Sequence, residues 1–141
     1  MMKLITILAA CLLSVNARAQ MGWTLQQCRE HFGPEFMPAS GDTHYFHVGP
    51  FGRRLGKHVY ITFDPDGTVG AIQWVKLNGE AFSESEIQKC LREASRVTWE
   101  RTPNHEPGEL NWTGKQNGKV IFDANEADNG RGIYFLTITT R

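Results

Sequence analysis

Two helix-start signals, each followed by a run of β-forming segments, constrain this chain more than any other feature. In Trp23-Thr24-Leu25-Gln26-Gln27-Cys28, Thr24 is an N-cap with Gln27 three residues on, and Trp23 and Cys28 take the flanking staple positions. Phe82-Ser83-Glu84-Ser85-Glu86-Ile87 repeats that grammar with Ser83, Glu86 and a Phe82/Ile87 staple. Leu25, Cys28 and Phe32 share one face of the first helix, which Gly33-Pro34 ends. Ile87, Cys90, Leu91 and Ala94 make the buried stripe of the second.

Strand signals fill the rest. His44 to Val48, His58 to Phe63 and Val69 to Leu77 are rich in aromatic and β-branched residues. Gly49 to Lys57 links the first two as a longer loop, and Asp64-Pro65-Asp66-Gly67 is a turn before the third. After the second helix, Val97 to Arg101, Glu109 to Thr113, Lys119 to Asp123 and Ile133 to Thr140 read as extended, with Gly114 to Gly118 as a turn and Ala124 to Gly132 as a polar loop. Successive strands joined by turns pair antiparallel. The expected class is therefore α+β: two capped helices packed on one face of an antiparallel sheet, as a degenerate tandem repeat of helix plus three strands. The halves run about 22–78 and 82–140 within one domain over 20–141.

The first nineteen residues read differently. Lys3 is followed by an apolar run from Leu4 to Val15, and Ala17-Arg18-Ala19 supplies small residues before a cleavage point at Gln20. This is the pattern of a secretory signal peptide, so the expected location is secreted or periplasmic. The run is shorter than the roughly 20 residues that span a bilayer, and no membrane span is expected. Leu8-Ala9-Ala10-Cys11 resembles a lipidation site, but Leu12, Leu13 and Val15 continue the apolar run past Cys11, which argues against a lipid anchor there. Removing residues 1–19 takes away Lys3 and Arg18 and no acidic group, so a chain with 15 basic and 15 acidic residues becomes one with a net charge of −2. That balance argues against nucleic acid as a partner.

Gly22 and Thr24 at the first helix, Phe32-Gly33-Pro34 at its end, and Phe63, Gly67 and Val69 around the Asp/Gly hairpin together resemble small periplasmic modules of the outer-membrane-assembly lipoprotein and β-lactamase-inhibitor-protein type. The likeness covers residues 22–77, with a looser echo over 82–140. It implies a non-catalytic protein that binds other proteins.

Cys28 and Cys90 lie on apolar helix faces, and in an oxidising compartment the expectation is a disulfide between them, which would stabilise the fold by about 4 kcal/mol on a chain-entropy model. Cys28 with His31, one turn on, is a possible nucleophile pair, but a thiol facing the core lacks the exposure such chemistry needs. Histidines 31, 44, 47, 58 and 105 have no metal-ligand spacing, since His44 and His47 fall on opposite faces of a strand and His105-Glu106 lacks the second histidine of the zinc-protease pattern. Neither metal nor cofactor is expected.

Gly49 to His58 is the most unusual segment. Arg53, Arg54, Lys57 and His58 among three glycines suggest a binding loop for an anionic ligand or another exported protein, although the P-loop spacing is missing. Asp123 to Gly130 has the composition of a calcium loop without its ligand order, and reads as a plain loop. Tryptophans 23, 74, 99 and 112 with Tyr45, Tyr60 and Tyr134 either build the core or stack on a sugar or protein. Asn111-Trp112-Thr113 is a glycosylation sequon in a host that uses one. No mature serine sits in a nucleophile-elbow context. The expected function is an exported, non-catalytic binding or structural module; a small secreted hydrolase-type enzyme or an enzyme inhibitor is the alternative.

Overall fold

The computed structural model describes residues 19–48, 57–102 and 110–141. The apolar run expected to be an export signal, Cys11, Arg53, Arg54 and His105 lie outside the described residues.

Both capping boxes form. Helix α1 (Leu25–Phe32) follows a 3-10 turn at Ala19–Gly22; Thr24 Oγ1 accepts from the Gln27 amide at 3.4 Å, and Gln27 Oε1 accepts from the Thr24 amide at 2.9 Å. Helix α2 (Glu84–Ala94) starts the same way at Ser83, with reciprocal bonds to Glu86 of 3.2 and 3.1 Å. Each box satisfies amides that a helix start would otherwise leave unpaired. At the other end of α1, Gly33 adopts φ 86° and its amide returns to the Arg29 carbonyl, a conformation that glycine enters without steric cost.

Eight strands make one antiparallel sheet in the order β1-β2-β3-β4-β8-β7-β6-β5. They are β1 (Met37–Ser40), β2 (Thr43–Val48), β3 (Lys57–Phe63), β4 (Val69–Lys76), β5 (Thr98–Thr102), β6 (Leu110–Gln116), β7 (Lys119–Asp128) and β8 (Tyr134–Thr140). Each half is a four-strand meander, and pairing of β4 with β8 joins them. Two cross-strand rows hold the sheet to its core. Phe46, Val59, Trp74 and Leu136 lie opposite one another along the first; Ile61, Ile72, Ile138, Ala124 and Trp112 along the second. All nine are buried, the large ones each contributing about 1.5–3 kcal/mol.

This architecture corrects the expected α+β class. Strands hold 52% of the described residues and helices 21%, so the body of the fold is one eight-stranded antiparallel sheet, closer to an all-β protein than to helices packed on a sheet. The helices are short additions meeting the sheet at particular side chains, such as Phe32 against Phe46 with ring centroids 5.5 Å apart.

The three-strand unit is also corrected, because β1 has no hydrophobic alternation to announce it and all four of its residues are exposed. In the second half, the polar loop expected from Ala124 is instead the continuation of β7. Ala124 and Glu126 turn inward and are buried, while Asn125 between them faces the other way. Pairing with β6 on one side and β8 on the other satisfies the backbone there, so polar side chains do not break the strand. The β6–β7 turn tightens to Asn117-Gly118, both at positive φ, which a two-residue hairpin of primed type requires.

Candidate functional site

Of the four residues expected to form a binding loop, Lys57 and His58 are described, and strand alternation sends them to opposite faces of the sheet. Lys57 lies opposite Lys76 on the side that meets the helices; His58 lies opposite His47 and Val75 on the other side. They do not form one site.

Lys57 borders a cleft of about 320 Å³ between the end of α1, strands β2 to β4, and α2, lined by Phe32, Val48, Trp74, Glu86, Lys89 and Cys90 among others. Glu86 organises its floor. One carboxylate oxygen accepts from Lys57 Nζ at 2.7 Å, the other from Lys76 Nζ at 2.7 Å and from the Ser83 amide. Both ammonium groups also lie over the Phe82 ring, at 5.9 and 5.8 Å from its centroid. Burial works against the Glu86 charge, but the hydrogen bonds from Lys57 and Lys76 outweigh it and lower its pKa to about 2. Cys90 goes the other way, pushed up to about 12 by burial. A carboxylate so acidic is a weak base, and a thiol so basic carries almost no thiolate. Glu86 therefore serves as a counter-ion shared by Lys57 and Lys76, which offsets part of the charge that was expected to attract an anion.

Cys28 follows the same rule. It is fully buried, its thiol pushed up to about 12 by burial with the Glu35 charge adding to it, while His31 is exposed with its ring against Trp23 and Phe32. The Cys28–His31 pair has no nucleophile to offer. The expected Cys28–Cys90 disulfide is corrected as well. Both thiols are free and the two are not within bonding distance, each buried on the apolar face of its own helix.

On the sheet face away from the helices, side chains from two adjacent strands make a different surface. Tyr45 and His47 alternate along β2, His58 and Tyr60 along β3, and the register sets Tyr45 against Tyr60 and His47 against His58. Their rings meet at centroid distances of 4.9 Å and 5.3 Å, and the Phe36 ring, entering β1, packs tilted against His58 at 4.5 Å. All five are half-buried, so each ring is braced by its neighbours and still presents an edge or face outward. Burial, with His47 beside it, lowers the His58 pKa and favours the neutral imidazole; burial with Tyr45 nearby raises that of Tyr60 and keeps its hydroxyl protonated. The cluster thus offers packed rings with hydrogen-bonding edges. Across the same face, Asn111, Thr113, Asp123, Asn125 and Thr139 line a shallow polar groove of about 430 Å³ on β6 to β8.

Residue composition alone did not single out this cluster. The signal that finds it is the i, i+2 spacing of rings in both strands together with their register, which only pairing supplies. The tryptophans, by contrast, belong to the core: Trp74 and Trp112 are buried, and Trp23 and Trp99 pack against the same cluster, so a coplanar exposed pair for stacking a sugar does not form. Trp99 Nε1 instead donates to the Leu91 and Ser95 carbonyls and closes the end of α2. Asp128 and Asn129 spend side-chain oxygens on backbone amides of the following turn, and no metal-binding group of His, Cys, Asp and Glu occurs among the described residues.

No protein-family model matches the chain, and no curated protein does. Among solved structures it is similar to a DUF4309 family protein (YjgB) from Bacillus subtilis subsp. subtilis str. 168, at 13% identity over 84% of this chain and 78% of that one, with a TM-score of 0.46. No helix among the described residues is long and apolar enough to cross a membrane.

Proposed function

We propose that this is an exported, non-catalytic binding module, working outside the cytoplasm and holding another exported protein against the helix-free face of its sheet. The observation that carries the reading is the braced ring cluster of Phe36, Tyr45, His47, His58 and Tyr60. Aromatic rings with few free torsions give contact area at small entropic cost, and the polar groove farther across the same face, on β6 to β8, offers hydrogen-bonding groups to a partner broad enough to reach both. The helix-side cleft favours binding over catalysis for a separate reason: its carboxylate and thiol are shifted away from reactivity.

The test is site-specific photocross-linking in the exporting cell, with a benzophenone side chain replacing Tyr45 or Tyr60, and Arg92 on the exposed side of α2 as the control position. A single protein adduct from both sheet positions and none from Arg92 is the expected result. Equal adducts from all three positions, or adducts from Arg92 alone, would refute it.

A further inference from the structure

Val48 closes β2 with 36% of its surface exposed, while Phe46, two residues earlier on the same face, is fully buried. The cleft between the sheet and α2 opens beside Val48. Its other walls are largely apolar: Phe32 from the end of α1, Trp74 from β4 and the protonated thiol of Cys90 from α2. At about 320 Å³ the cleft has room for about ten groups the size of a water molecule, at roughly 30 Å³ each. That volume falls at the small end of the range that small-molecule sites occupy.

The charge at its floor does not balance. Lys57 and Lys76 share the single carboxylate of Glu86, each at 2.7 Å, so the three together carry one net positive charge. Glu86 is fixed where it is, because it also accepts from the Ser83 amide as part of the α2 cap. Lys76 gives a further donor to the Ala81 carbonyl at 3.1 Å and is set back from the cleft. Lys57 lines it. An ammonium has three N–H donors; one from Lys57 goes to Glu86, and the others meet no protein acceptor among the described residues. Lys89 and Glu93, higher on the walls and more exposed, lie 4.0 Å apart and cancel each other. What remains is an apolar slot with one unbalanced cation at its base, held in position by a helix cap.

We propose that this cleft binds a small free monocarboxylic acid with an apolar body, its carboxylate on Lys57 and its body between Val48, Phe32 and Trp74. One negative charge is what the lysine pair and Glu86 leave unmatched, and an ion taken out of water needs a partner of opposite charge. A phosphate monoester, with a charge of about −1.5 to −2, would carry more than the site can match. The volume is too small for a folded partner or a long lipid tail. Because the cleft lies on the helix side of the sheet, the inference stands apart from the protein-binding reading of the opposite face.

Sodium octanoate matches the volume and is the probe; octan-1-ol and octylamine present the same tail with no charge and with the opposite charge. In nitrogen–proton correlation spectra of the isotope-labelled full chain, octanoate should move the Trp74 indole N–H signal, assigned from a Trp74→Phe variant. The shift should saturate with a Kd on the order of 0.1 mM. Octanol and octylamine should bind about tenfold more weakly or worse. Lys57→Met keeps the aliphatic stem and removes the unbalanced charge, so octanoate should bind it no better than octanol does; Lys57→Arg should retain most of the affinity. No saturable shift at a hundredfold the expected Kd, or equal affinities for octanoate and octanol in the wild-type chain, would overturn the proposal without calling on any variant. Wild-type affinity in Lys57→Met would overturn it too. So would a shift produced only by a tetrapeptide with a free C-terminal carboxylate, which would assign the cleft to the end of a protein chain.

Discussion

Replacing Glu126 with leucine should make the protein more stable, and more so the higher the pH. Glu126 lies on the core side of β7 between Leu110 and Leu136, its direct cross-strand neighbours, and is 7% exposed. Its Oε2 has no hydrogen-bond partner among the described residues. Burial first, and then the nearby charges of Glu84, Asp128 and Glu86, raise its pKa above the ordinary carboxylate value of 4.5, with Lys76 opposing them. A group whose pKa is raised by folding contributes stability that is whole below about 4.5 and is lost as pH rises through the folded value. A buried polar group without its partner costs about 1–3 kcal/mol, and leucine of similar volume between two leucines removes that cost. Taking the middle of that range, Glu126→Leu should gain about 2 kcal/mol at pH 8, or about 8 °C in Tm for a domain of this size. Near pH 4 the wild-type carboxyl is protonated and the gap should shrink. Paired thermal melts at the two pH values measure it. An equal gap at both, or a variant less stable at pH 8, would refute the argument.

Further outcomes follow from the charged and capped residues. Glu35, held at about 2 chiefly by Arg29 with help from His44, and Glu86, held at about 2 by Lys57 and Lys76 against the cost of burial, contribute stability that is present above about 4.5 and lost as pH falls toward 2. Acid unfolding followed by circular dichroism should therefore show a steep limb in that window, and Glu35→Gln with Glu86→Gln should flatten it. Ser83→Ala removes the α2 cap and should cost about 1 kcal/mol in urea unfolding, with no change in the slope. Because Cys28 and Cys90 are free and buried, a thiol reagent should modify neither in the native protein and both in urea, and added reductant should leave Tm where it was. A drop in Tm on reduction would show that the two are bonded in the purified protein.

The local elements were legible in the residues, and the way they combine was not. Both helix starts are visible because a capping box is a contract between residues three apart, and Ser83 with Glu86 form it without help from the rest of the chain. Strands with β-branched alternation, such as β3 and β8, were legible for the same reason. Strand β1 was not, since Met-Pro-Ala-Ser has no buried face and exists only because β2 offers it a partner. The length of β7 was hidden by its polar letters, which become acceptable once neighbours on both sides take up the backbone. The site shows the same division. Lys57 and His58 are adjacent in sequence, and the two-residue period of a strand parts them. Tyr45 and Tyr60 are fifteen positions apart, and register brings their rings together. Sequence alone determined what neighbours along the chain can settle between themselves: caps, turns and strand propensity. Which strands share a sheet, which way each side chain faces, and hence which residues can act together are decided by pairing and burial, which are properties of distant segments meeting and belong to no single stretch of letters.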